Sequence, residues 1–180
     1  EVPDLQLQFA SLRMQPHGAG LTPTLAGYVL HICHMRPNSR GRIRLTSADP
    51  FAHPRIEANY FDDEMELEAL VKGVKIARNI LSQPAMQPFN KKEEVPGASC
   101  RTDEDIRRFI LKKVESVYHT AGSCKMGIDN MAVVDPRLRV YGIRNLRVID
   151  SSIMPTITGS NIHAPTVMIA EKGAELVVKG

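Results

Sequence analysis

Tryptophan is absent from this chain, and only four tyrosines and five phenylalanines are spread over its 180 residues. A cage for a quaternary ammonium needs several aromatic faces, and none is evident here. Cysteine is scarce too: Cys33, Cys100 and Cys124 are odd in number and widely spaced. That argues against a disulfide scaffold and for a reducing compartment, so the expected location is cytoplasmic. Zinc would need His31, Cys33 and His34, or Cys100, His119 and Cys124. A strand points His34 away from the other two, and paired C-x-x-C spacing is missing, so no metal is expected. No apolar run reaches the roughly 18 residues of a membrane span, and no signal peptide is visible. A net charge of +3 is too small to suggest nucleic acid, and Arg107-Arg108 with Lys112-Lys113 reads as the solvated face of a helix. The G-x-S-x-G elbow of serine hydrolases is missing, as is the G-x-G-x-x-G turn of dinucleotide-binding folds.

What is present is the ordinary apolar and charged balance of a globular protein, long enough for one domain or parts of two. The chain opens at Glu1-Val2-Pro3 without an initiator methionine and already in strand-like sequence, as expected for a piece of a longer polypeptide. Leu5, Leu7 and Phe9 alternate with Gln6 and Gln8, predicting a half-buried strand over Asp4–Ser11. After a Gly/Pro-rich loop at 12–24 come two further strands, Tyr28–Met35 and Gly41–Thr46, joined through Pro37-Asn38-Ser39. A short fourth strand covers Ile56–Tyr60. Asp63 and Glu66 then predict a capping box, opening a helix whose stripe Leu67, Leu70, Val71, Val74, Ala77 and Leu81 should face the sheet. Gln83-Pro84 closes it. A polar connection spans 88–101, and Thr102 with Asp105 opens a second helix that buries Ile106, Phe109 and Ile110. Beyond residue 115 the pattern becomes short strands and turns, then a helix from about Pro165 to Val177. The predicted class is α+β: an antiparallel sheet with helices on one face over 1–115, and a distinct segment over 116–180.

Two histidines in that last segment lie inside long, unusual motifs. His119 stands in Val117-Tyr118-His119-Thr120-Ala121-Gly122-Ser123-Cys124-Lys125-Met126-Gly127. His163 stands in Thr158-Gly159-Ser160-Asn161-Ile162-His163-Ala164-Pro165-Thr166. Short strands and Gly/Pro turns separate them, so they could meet in space and share one proton. An imidazole has an ordinary pKa near 6.5, close to what a general base needs at neutral pH. Isolated histidines are more often hydrogen-bonded core residues, and His17, His31, His34 and His53 take that reading. Pro165 suits the first turn of a helix, while Ala164 offers no side-chain oxygen to its free N–H groups. Those donors could serve a negatively charged group, or be met by water or by Asn161. Asp150-Ser151, after the apolar strand Leu146–Ile149, could be only a strand-ending turn.

In order, His119-to-Gly127, Val133-Val134-Asp135 with Arg139-Val140, Leu146-Arg147-Val148-Ile149-Asp150-Ser151-Ser152-Ile153-Met154-Pro155 and His163-Ala164-Pro165-Thr166 resemble the C-terminal signature of the glucose–methanol–choline family of flavin-dependent oxidoreductases. Arg36-Pro37-Asn38-Ser39-Arg40-Gly41, Leu45–Pro50 and Pro54–Tyr60 are similar to its substrate-domain strands. The resemblance thus extends over nearly the whole chain. It implies that 1–115 is part of the substrate-binding domain and that 116–180 completes a Rossmann-like FAD-binding domain whose glycine turn lies in a missing N-terminal portion, the chain's expected partner. It also implies FAD as cofactor and a small-molecule alcohol as substrate. His119 would be the general base, with His163 positioning and polarising the substrate oxygen. Asp150 and Ser151 would contact the ribityl and pyrophosphate region, and Ala164, Pro165 and Thr166 the flavin ring. Choline-type members carry His in place of Gln8 and Asn in place of His163, which argues for a primary alcohol other than choline. Two other readings stay open: a non-catalytic fragment without FAD, and a lyase of the same family.

Overall fold

The computed structural model describes residues 2–12 and 26–180; His17 and nearly all of the expected loop at 12–24 lie outside them. The alternation at the start forms strand β1, Leu5–Ala10, antiparallel to β2, Val29–His34. The register runs from Leu5 opposite His34 to Ala10 opposite Val29. Leu5 and Ile32, on one face of this ladder, meet Gly73 of helix α1, Glu64–Leu81. Asp63 caps that helix by accepting from the Met65 N–H at 3.0 Å. Its buried stripe is Glu66, Leu70, Val71, Gly73, Val74 and Ala77. Gly73, an interior helical glycine, lets the ladder come close: an added Cβ would lie 2.5 Å from Cγ2 of Ile32. Helix α2, Asp103–Lys113, starts with a complete capping box between Thr102 and Asp105, and buries Ile106 and Ile110. Lys75 with Asp103 and Arg107 with Glu68 join the two helices.

The α+β class holds, but the four strands do not form one sheet. β3, Arg42–Arg44, pairs with β4, Arg55–Glu57, as a second two-stranded antiparallel ladder. Pro37 lacks a backbone donor to extend the first ladder past Met35. The side chain of Arg36 turns to Gly159 instead. Contacts divide the chain into two compact units. One takes the described residues up to Met35 with Asp63–Glu115; the other takes Arg36–Asp62 with Ser116–Gly180.

In the second unit the expected strand Leu146–Ile149 is reduced to isolated bridges, Arg139 with Arg147 and Val134 with both Met126 and Val140. The cause is local. Leu138, Gly142 and Asn145 all have positive φ, and such left-handed turns stop a ladder after a pair or two. A 3-10 turn follows at Ser151–Ile153, then helix α3, His163–Lys179. α3 begins two residues before Pro165, which costs no hydrogen bond, because the first-turn N–H groups have no intrahelical acceptor. Ile162 and Ile169 bury against Val134, Leu138, Ile153 and Met154. No helix among the described residues is long and apolar enough to cross a membrane.

Candidate functional site

The His119 motif is held by the backbone of the 3-10 turn. Gly122, Cys124 and Met126 donate N–H groups to the carbonyls of Ser151, Ser152 and Ile153, at 3.4, 2.9 and 2.7 Å. Gly122 is required at its place, with φ of +88° and the Met154 carbonyl 3.2 Å from where a Cβ would stand. Two motifs distant in sequence are therefore stitched side by side. Asp150 caps the 3-10 turn, its Oδ1 accepting from the Ser152 N–H at 2.7 Å.

Asp135, in the middle motif, organises a turn. It accepts from the N–H groups of Arg137 and Arg139 at 2.8 and 2.9 Å and from the Arg139 guanidinium. Burial pushes its carboxyl up, but these donors outweigh that and hold it below the ordinary carboxylate range.

The segment before α3 contains Thr158, whose Oγ1 is buried without a hydrogen-bond partner. Next to it the Arg36 guanidinium packs on Gly159, where a Cβ would be 2.6 Å from Nη2. Asn161 turns its amide to the half-buried imidazole of His119, with Nδ2 2.8 Å from Nε2. Ile162, 7% exposed, anchors the chain between Asn161 and His163. His163 is the exposed first residue of α3. No hydrogen bond joins the two imidazoles; Asn161 is the link between their segments. Ala164 is exposed and Pro165 and Thr166 are half-buried. The Thr166 hydroxyl is already engaged, donating to the Ile162 carbonyl at 2.7 Å.

α3 has no side-chain cap, so the N–H groups of His163 and Ala164 lack intrahelical acceptors. Such donors are of the kind that the electron-rich edge of a flavin would accept from. Asn161, which the sequence offers only as a possible helix cap, is the site residue that local patterns do not reveal, because its partner lies in a distant motif. Among the described residues, no group of three or more His, Cys, Asp or Glu side chains is placed to hold a metal ion. The first unit has an open apolar cavity of about 290 Å³ lined by Phe9, Ser11, Gly27, Tyr28, Met86 and Phe89, none of them in these motifs.

Comparison with known proteins assigns the chain to a family. The GMC oxidoreductase family model matches residues 37–170, and the chain belongs to that family. It is 44% identical over 177 residues to the alcohol dehydrogenase [acceptor] of Pseudomonas putida, covering 98% of this chain and 32% of that protein. It is 43% identical over 177 residues to human mitochondrial choline dehydrogenase, covering 97% and 30%. Among solved structures, pyridoxine 4-oxidase from Mesorbium loti superposes with a TM-score of 0.80 at 28% identity, covering 91% of this chain and 32% of that one. A formate oxidase from Aspergillus oryzae RIB40, studied for modification of its FAD, superposes with a TM-score of 0.84 at 25% identity, covering 98% and 32%. The chain spans about a third of the length of these relatives.

Proposed function

We propose that this chain is the C-terminal part of an FAD-dependent alcohol dehydrogenase or oxidase acting on a primary alcohol, with His119 and His163 handling the hydroxyl proton. FAD, when bound, supplies the hydride acceptor at flavin N5. His119 accepts the hydroxyl proton as general base, and His163 donates a hydrogen bond to the substrate oxygen, fixing the angle of the carbon–hydrogen bond. Ala164, Pro165 and Thr166, at the uncapped start of α3, would face the flavin ring, where a helix N-terminus favours negative charge. Asp150 and Ser151 would lie by the ribityl and pyrophosphate groups.

One placement supports this reading above the others. His119 is hydrogen-bonded to Asn161, two residues before His163 at a helix start that no side chain caps. In this reading residues 1–115 contribute to substrate binding. Residues 116–180 complete a Rossmann-like FAD domain with an N-terminal portion of the same protein. The absence of tryptophan, with Gln8 and His163 at the choline-type positions, supports a primary alcohol other than choline. The free thiols of Cys33, Cys100 and Cys124 suit a reducing, cytoplasmic setting.

The test is anaerobic flavin reduction by a panel of alcohols in the full-length polypeptide, with His119→Ala and His163→Ala beside it. His119→Ala should slow reduction by about 10²–10⁴, and His163→Ala should also lower the rate, with FAD content retained. Unchanged rates in both variants would overturn the proposal.

A further inference from the structure

We propose that Asn161 is a positioning residue for His119, fixing the orientation and tautomer of the imidazole so that its proton-accepting lone pair is on Nε2. This rests on the reading of His119 as the general base.

The amide nitrogen of Asn161 is 2.8 Å from Nε2 of His119. That nitrogen carries only hydrogens to offer, so Nε2 must be the acceptor. A neutral imidazole has one N–H and one lone pair, which puts the proton on Nδ1. The lone pair that Asn161 occupies is the one a hydroxyl hydrogen must reach. The amide therefore holds Nε2 in its accepting form until an alcohol takes the amide's place.

The Asn161 backbone is braced on both sides. Before it, the Ser160 N–H donates to the Thr158 carbonyl at 2.8 Å, and the Arg36 guanidinium packs on Gly159. After it, Ile162 is buried in the core and its carbonyl accepts from the Thr166 hydroxyl. His119 lies in a separate segment, tied to the 3-10 turn through Gly122. Two independently held segments thus meet at one hydrogen bond.

The choice of residue points the same way. Asparagine is among the best helix-capping side chains. Here it lies one residue before the cap position, occupied by Ile162, and α3 has no side-chain cap at all. The asparagine side chain is turned to a histidine instead.

The test uses the full-length FAD-loaded polypeptide with ¹⁵N-labelled histidine, and the variants Asn161→Asp and Asn161→Ala. The nitrogen spectrum of the wild type should show His119 protonated on Nδ1. In Asn161→Asp the carboxylate can only accept, so the proton should move to Nε2. In Asn161→Ala the two tautomers should mix. Both variants should lower kcat by about ten- to hundredfold with KM little changed, as expected for a misdirected group. A wild-type proton on Nε2, which needs no variant to observe, would overturn the proposal, as would an unaltered tautomer in both variants. The parallel His119→Ala enzyme separates the two readings. If it reduces flavin normally, the base assignment falls and the positioning role with it. If it is inactive while the Asn161 variants keep wild-type kcat and tautomer, only the positioning role falls.

Discussion

Gly173 in α3 lies so close to Ile149 that an added Cβ would stand 2.2 Å from its Cγ2 and 3.0 Å from its Cδ1. The branched side chain sits in the notch a missing side chain leaves. This fixes the helix that begins at His163 against the segment that ends at Asp150, so the two stretches proposed to face the cofactor share one mechanical link.

The first expected outcome follows from that notch. In an exposed helix, Gly→Ala would stabilise by about 1 kcal/mol. Here Gly173→Ala should destabilise by about 1–3 kcal/mol through overpacking. Ile149→Ala in the same chain should recover part of the loss, because the two residues are in contact and their effects do not add. Urea denaturation of the four-member cycle checks this. A stabilising Gly173→Ala would show that the close approach carries no weight.

Short-range features were legible in the sequence, and long-range ones were not. Thr102 and Asp105 are three residues apart, and the helix start they mark could be read directly; the structure completes it as a capping box. The alternation of Leu5, Leu7 and Phe9 likewise announced β1, because strand period needs only neighbours. Yet that period does not name a partner, and nothing local told β3 to pair with β4 and leave β2 alone. Gly73 and Gly173 break their helical patterns visibly, but Ile32 and Ile149, which fill the gaps, come from elsewhere in the chain. The hydrogen bond between His119 and Asn161 spans 42 residues. Each residue looked locally complete, one as a motif histidine and the other as a cap.

A second outcome concerns the core beneath the site. Val134 is 0% exposed and bridges to Met126 and Val140, while Ile128, close by in sequence, is 90% exposed. Val134→Ala removes two buried methyl groups and should destabilise by about 2 kcal/mol. Ile128→Ala should stay within about 0.5 kcal/mol, as at most surface sites. Because the Met126 segment also holds the His119 motif against the 3-10 turn, Val134→Ala should release FAD at lower denaturant than wild type. Equal losses at the two positions would mean that Val134 is not at the centre of this core.

A third outcome is a pH dependence centred on α2. The Asp105 carboxyl is held well below the ordinary range by the Thr102 N–H, then the Thr102 hydroxyl, the Arg101 N–H and the Arg108 guanidinium. A carboxylate with a depressed folded-state pKa favours folding above its unfolded value, near about 3.9, and loses that contribution as pH falls toward the folded value. The effect should be fully present at neutral pH and fade below about pH 4. Glu68, Asp129 and Glu175 are also lowered, so the wild-type acid limb has several contributors. The difference between wild type and Asp105→Asn isolates one of them. Denaturation midpoints measured against pH should differ most at neutrality and converge in acid. Curves that run parallel across the whole range would show that the Asp105 charge does not contribute to the cap. Thr102→Ala, which removes the hydroxyl partner, should destabilise by about 1 kcal/mol at neutral pH and flatten the same acid limb.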